Sequence, residues 1–365
     1  MGDIAVIFGG PSPEHDVSIL TGLQAVHELM GSRTTHAIYW TKTGAFHEVD
    51  PALEAKAFLD GVPAGSTALQ LVAGAGFVAE ARRLSKPKTL ELDAAVLCTH
   101  GGPGEDGSLQ GALDLAGVPF AGPTVAGAAL GMDKLAFSSV LNDHGVPVLP
   151  RRALTPTTEL DFLGPYIVKP RFGGSSIGID VVADLDTAKA RLTTNPHLSA
   201  GAVIEPYRAD LADLQIAVRS YPTLELSAIE RPLRSSRGGE ILDYRDKYVG
   251  GEGMASAPRE LPASLSAERE REVQALARAV AELTSLRGVA RIDFMEGEAG
   301  LFVNEVNTIP GSLARYLFIE PKRSFGALLA DLIAEAVERP THRYSAAGAD
   351  GLVLRGAASI AAKLA

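Results

Sequence analysis

The stretch FVNEVNTIPGSLARYLF, residues 302–318, carries Glu305 and Asn307 two positions apart in an apolar, strand-like run. Alternate strand residues face the same way, so both oxygen-bearing side chains point to one side. Asp293 lies in the preceding strand-like segment ARIDFM, with Arg291 two residues before it. Paired across a hairpin, Asp293, Glu305 and Asn307 converge. Three oxygen ligands suit a hard cation such as Mg²⁺, with phosphate oxygens completing the shell. Arg291 on the same face sets a permanent cation where negative charge would develop. A surface hairpin with scattered acids is the plainer alternative.

A second element favours the phosphate reading. In VKPRFGGSSIGI a strand ends at Lys169 and a Gly-Gly-Ser-Ser turn follows. Glycines let backbone N–H groups approach phosphate closely, and the lysine adds charge. The spacing is not that of a P-loop, and an ordinary hairpin turn is the alternative. Lys134, in GMDKL, opens a helical turn just ahead; alone it reads as a solvated lysine. His15 and His100 lie in polar loops but lack metal-binding spacing, so positioning or loop satisfaction suits them better than ligation. Cys98 ends the apolar run AAVLC and reads as a buried strand thiol. No Gly-x-Ser-x-Gly elbow is present.

The elements that must position these groups are legible in outline. DIAVIFGG is a buried strand ending in glycines, and ILTGLQAVHELM has helical spacing. THAIYW and LDAAVLC are further strands, and LQGALDLAG is a helix. Strand–helix alternation predicts an α/β fold with a parallel sheet whose loops, at Glu14 and at His100 to Asp106, share the carboxyl edge. One long helix is expected over residues 125–145. Beyond it come the strands PYIVKP and AVIEPY, then a strand pair turning at Tyr221–Pro222, then the final hairpin. The polar stretch from Arg231 to Pro262 reads as a functional loop or lid.

The 365 residues suggest two or three domains. A net charge of −10 argues against a nucleic-acid face. One cysteine rules out an internal disulfide, and no apolar run spans a bilayer. With no signal segment at Met1, a cytoplasmic protein is expected, with no membrane partner.

The order of the motifs is more specific than any one of them. FGGPSPEHDVS, HGGPGEDGSLQG, GVPFAG, MDK, VKPRFGGSSIG, DYRDKY, ARIDFM and NEVNTIPG run from Gly9 to Gly311. In that order they resemble the D-alanine–D-alanine ligases of the ATP-grasp superfamily. The resemblance implies an N-terminal substrate-binding domain (1–125), a central ATP-grasp subdomain (126–208) and a C-terminal one with lid and metal site (209–365), the last two clamping ATP. It implies ligation of two D-alanines through an acyl phosphate for peptidoglycan precursors, and a homodimer. The alternative is a ligase on the same scaffold with a different acceptor, in specialised metabolism.

The resemblance also assigns roles. Lys134, Lys169 and the Gly173, Gly174, Ser175, Ser176 loop bind ATP phosphates. Glu205 faces adenine, and Asp213 replaces the usual ribose acid after an extra residue. Asp293, Glu305 and Asn307 hold two Mg²⁺ ions, with Mn²⁺ as a substitute. Arg291 and the Gly311 backbone stabilise the oxyanion. Glu14 binds the first substrate's ammonium, Ser175 and Tyr248 link to Glu14, and His100 lies near that substrate. Family members carry small hydroxyl residues after the Pro-Gly; Leu313 and Tyr316 stand there instead. Tyr316 and Arg315 are therefore expected to shape the acceptor pocket.

Overall fold

The computed structural model describes residues 2–80, 87–233, 258–341 and 345–356. Among them the strands form three sheets. The first contains β1 (Asp3–Gly9), β2 (Thr35–Trp40), β3 (Phe46–Val49), β4 (Thr67–Val72), β5 (Gly76–Ala79), β6 (Lys88–Thr89), β7 (Leu92–Leu97) and β8 (Phe120–Ala121), in the order 6-5-4-3-2-1-7-8. Strands β2, β1, β7 and β8 are parallel, as expected. The sheet as a whole is mixed, because β3 to β6 extend it as an antiparallel meander. Those four strands are short and half-exposed, so they lack the continuous apolar run that marks a buried parallel strand.

Residues 4–8 of β1 are wholly buried. Helix α1 (His15–Met30) packs on β1 and β2. Its approach requires Gly22: a Cβ there would lie 2.3 Å from the Phe8 Cβ. Helix α2 (Ser108–Ala116) follows β7. The expected long helix is two: α3 (Val125–Met132) and α4 (Lys134–Asp143) meet at Asp133. Asp133 adopts an extended conformation, and its carboxylate accepts from the Leu135 and Ala136 N–H groups. An aspartate that caps the second helix necessarily ends the first.

The second sheet, in the order 11-10-12-9, joins β9 (Arg152–Leu154), β10 (Tyr166–Pro170), β11 (Asp180–Val182) and β12 (Ala202–Pro206), with α5 (Leu185–Thr194) against it. The third, in the order 15-14-13-16-17, joins β13 (Ala212–Arg219), β14 (Glu225–Pro232), β15 (Arg259–Glu260), β16 (Val289–Gly297) and β17 (Gly300–Asn307). Helix α6 (Ala267–Leu283) packs on it. Helix α7 (Phe325–Glu338) returns to cover β7 and β8.

Each sheet has its own apolar core, but the cores do not follow the chain linearly. Phe137 and Leu141 of α4 join the core of the third sheet. Residues 309–336 supply Ile309, Leu317 and Leu329 to the core of the first. The end of β17 is thereby fixed to the first sheet, and this junction positions the site. Among the described residues no helix is long and apolar enough to cross a membrane.

Gly22→Ala tests the α1–β1 contact. Helix propensity alone favours alanine by about 1 kcal/mol. Phe8 is fully buried and its Cβ cannot retreat from the strand backbone, so overpacking at about 1–3 kcal/mol outweighs that gain. The variant should melt below wild type; equal or higher stability contradicts the packing argument.

Candidate active site

The hairpin β16–β17 pairs as its sequence suggests. Asp293 stands opposite Glu305, and Arg291 opposite Asn307. All four side chains therefore share one face. The Arg291 guanidinium forks onto Asp293, Nε to Oδ1 at 2.7 Å and Nη2 to Oδ2 at 2.8 Å. Asn307 Nδ2 donates to Asp293 Oδ2 at 3.1 Å, which keeps its amide oxygen as the acceptor a cation requires. Among the described residues no three His, Cys, Asp or Glu side chains converge. The set is two carboxylates and an amide, the all-oxygen donors that fit Mg²⁺ completed by substrate phosphate.

Facing this hairpin are the two lysines. Lys134 Nζ donates to the Gly173 carbonyl and lies 3.5 Å from Glu305 Oε2. Lys169 is the penultimate residue of β10, and its Nζ is 3.0 Å from Glu205 Oε2. Lys134, Lys169, Gly173 to Ser176, Glu205, Asp213, Asp293 and Glu305 line a single cavity. Asn307 and Glu14 line a smaller one that shares Lys134 and Glu305 with it. Ser175 and Ser176 have φ of +52° and +59°, a left-handed turn that non-glycine residues adopt at a cost. It aims Ser175 Oγ to donate to Glu14 Oε1.

Glu205 is fully enclosed. Its Oε1 accepts from Arg151 Nε at 2.7 Å while Oε2 takes Lys169. Burial pushes its carboxyl up, but these two cations more than offset burial and hold it below its usual range. Arg151 also donates to the carbonyls of Lys134 and Asn304, tying α4, β12 and β17 together behind the lysines. Nothing in VLPRRAL marked Arg151 for this role.

His100 and His15 are positioning groups. His100 Nδ1 lies 2.7 Å from the Ile309 carbonyl, which can only accept, and Nε2 lies 2.8 Å from Thr21 Oγ1. Its ring is therefore neutral with the proton on Nδ1, and Thr21 donates to Nε2. Thr21 in turn accepts from the Ser312 N–H at 3.0 Å. Burial pulls His100 below its ordinary range. His15 is held alike, between the Gly10 carbonyl and Tyr39. Cys98 is buried, and burial raises its thiol well above the usual range.

Glu105 was not singled out by its sequence, although it sits in the Gly-rich loop HGGPGEDG. It accepts from the N–H groups of Gly101 and Ile309, each at 3.0 Å, and from Thr308 Oγ1 at 3.3 Å. The same loop packs on Glu14: a Cβ on Gly101 would lie 2.4 Å from Glu14 Oε2. Beyond Pro310 and Gly311, residues 312–314 take φ near +50°. Ser312 is held by Thr21, and Leu313 and Ala314 are buried in the first core; these contacts offset a strain of about 1–2 kcal/mol per residue.

Arg315 is not brought to this cluster. It is exposed, with its guanidinium over Phe325 at 5.0 Å from the ring centroid; the aromatic face gives it a better partner than the cleft does. Tyr316 lies beneath Arg259, 5.1 Å from guanidinium carbon to ring centroid, and burial pushes its phenol up to about 12. Tyr248 and residues 234–257 of the expected lid lie outside the described residues.

Family models decide the assignment. The D-ala D-ala ligase N-terminus matches residues 3–123 and the D-ala D-ala ligase C-terminus matches 129–338. The chain belongs to the D-Ala-D-Ala ligase family. It is 33% identical over 367 residues to a D-alanine--D-alanine ligase of Methylobacterium sp. (strain 4-46), covering 92% of each chain. It is 33% identical over 364 residues to the enzyme of that name from Mycobacterium sp. (strain KMS), covering 93% of this chain and 97% of the relative. In fold it is similar to D-alanyl-alanine synthetase A from Vibrio cholerae, with a TM-score of 0.76 at 21% identity, over 92% of this chain and 98% of the other.

Glu105 generates a pH prediction. Burial raises its carboxyl from 4.5 to about 7, with the charge of Glu14 adding to the shift. The folded state then holds the proton more tightly than the unfolded chain. Stability is full below about pH 4.5 and falls as pH rises toward 7, by on the order of 3 kcal/mol. Glu105→Gln cannot ionise and should flatten the decline of melting temperature between pH 4.5 and 8. Parallel pH profiles for variant and wild type contradict this reading.

Proposed function

We propose that this protein joins D-alanine to a second amino acid, D-alanine in the leading reading, with conversion of ATP to ADP and phosphate. The observation that carries this is the single cavity in which two buried lysines, a Gly-Ser turn and the Asp293–Glu305 pair meet. Lys134, Lys169 and the backbone N–H groups of Gly173 to Ser176 bind the ATP phosphates. Glu205 and Asp213 face the base and ribose. Glu14, oriented by Ser175, receives the ammonium of the first substrate, while neutral His100 holds the Ile309–Gly311 backbone beside it. Asp293, Glu305 and Asn307 hold Mg²⁺, which when bound supplies neutralising charge for phosphate oxygens.

In the first step an oxygen of the donor carboxylate bonds to the terminal phosphorus as the bond to ADP breaks. In the second the acceptor amine, as its free base, bonds to the carbonyl carbon, phosphate departs with the electron pair of the C–O bond, and the nitrogen gives up one proton to solvent. Arg291 and the Gly311 N–H face the oxygen that becomes negative between these events. The chemistry demands this order, because a carboxylate is a poor electrophile until phosphate makes a leaving group of its oxygen. Peptidoglycan precursor synthesis, cytoplasmic residence and a homodimer belong to the same proposal.

A family ligase with another acceptor is the second reading. It is favoured by Leu313 and Tyr316, where relatives have small hydroxyl residues, and by the Arg259–Tyr316 contact.

Purified protein given ATP, Mg²⁺ and D-alanine should release phosphate in step with D-alanyl-D-alanine. With D-lactate also present, peptide and not ester should dominate the mass spectrum. Asp293→Ala and Asn307→Ala should each lower turnover by at least about 100-fold with circular dichroism unchanged. Near-normal turnover in both at saturating Mg²⁺ removes the metal assignment.

A further inference from the structure

Glu230 of β14 is 4% exposed, yet only half satisfied. Its Oε1 lies 3.0 Å from Arg259 Nη1. Its Oε2 has no hydrogen-bond partner among the described residues. A buried carboxylate oxygen without a donor is costly. Strand register puts Glu230 on the catalytic face: Glu230 pairs with Gln215, Gln215 with Asp293, and Asp293 with Glu305. From the other side Tyr316 lies under the Arg259 guanidinium. An acid, a guanidinium and an aromatic ring thus meet two strands from Asp293. None of them is among the groups that hold nucleotide or the first substrate.

An acid and a guanidinium side by side complement a free α-amino acid, which carries one charge of each sign. We propose that Glu230, Arg259 and Tyr316 form the acceptor subsite. Glu230 Oε2 accepts from the N–H of the acceptor amine, and Arg259 binds the acceptor carboxylate. The Tyr316 ring lies along the acceptor side chain and limits its size. This rests on the ligase reading above and deepens it. It replaces Arg315, which is committed to Phe325, with Arg259 as the carboxylate partner. The Tyr316 ring lies under that guanidinium and braces it.

D-Alaninamide separates this role from a structural one, because it has no carboxylate and serves only as an acceptor. Wild type should prefer D-alanine to D-alaninamide as acceptor by roughly ten- to a hundredfold, the range of a charge-assisted hydrogen bond. Arg259→Met should raise the acceptor KM for D-alanine by that factor and abolish the preference. The ATP KM, and donor-dependent exchange of the β,γ-bridging oxygen of ATP, should stay within about twofold. Unchanged preference in Arg259→Met, or donor exchange lost in parallel with ligation, overturns the subsite. If Arg259→Met does not fold, Glu230→Gln carries the test. A raised acceptor KM with intact donor exchange supports the subsite, and wild-type constants reject it. Wild type lacking D-alanine-dependent exchange would refute the ligase reading itself; intact wild-type exchange with no effect of Arg259 or Glu230 would refute the subsite alone.

Discussion

The peptide group on either side of Ile309 is gripped from both ends. Its N–H donates to the buried Glu105, and its carbonyl accepts from the buried His100. Both partners come from the loop after β7, some two hundred residues earlier in the chain. Two buried hydrogen bonds fix the end of β17 against the carboxyl edge of the first sheet. Glu14 lies on that edge, Arg291, Asp293, Glu305 and Asn307 lie on the hairpin, and Gly311 lies between them. Loosening the Ile309 grip would separate Glu14 from Arg291, Asp293, Glu305 and Asn307. The left-handed run at residues 312–314 is a consequence, since the chain must turn at once to bury Leu313 and Ala314 in the first core.

A second constraint is electrostatic. The cations of the cleft each stand by an acid: Lys134 by Glu305, Lys169 by Glu205, Arg291 by Asp293 and Arg259 by Glu230. Burying these charges singly would cost several kcal/mol each. Paired, they keep the cleft close to neutral and hold their positions before any ligand arrives. The pairs are unequal. Glu205 is shared with Arg151, so Lys169 is not bound to it exclusively, and Lys134 meets Glu305 only at 3.5 Å. Those are the two lysines best able to exchange a carboxylate for phosphate. Arg291 is forked onto Asp293 and is the more rigid.

Much of this was legible in the sequence because it follows from period and order. Residues 291, 293, 305 and 307 share a face through simple alternation, and the hairpin register agrees. The parallel strands were visible as unbroken apolar runs, and both polar loops lie at their carboxyl ends. The antiparallel extension β3–β6 was not visible, since half-exposed strands of two to six residues carry little pattern. The division at Asp133 was missed because helical spacing continues through it; only the cap reveals the break. The buried contacts of Arg151, Glu105, Glu230 and Arg259 were not visible for another reason. Each side chain is held by residues distant in sequence, and a lone charge in a loop or strand looks the same whether it is solvated or buried. Arg315 shows the converse: it adjoins Tyr316 in sequence, and its guanidinium lies over Phe325 instead of in the cleft.

The central claim is that the carboxylate of one substrate is activated by phosphate before the amine attacks. D-Alanine labelled with ¹⁸O in both carboxyl oxygens, turned over with unlabelled ATP, tests it directly. The account predicts inorganic phosphate carrying one ¹⁸O per dipeptide formed, because the oxygen that bonds to phosphorus leaves with it. Dipeptide formation with unlabelled phosphate would contradict it.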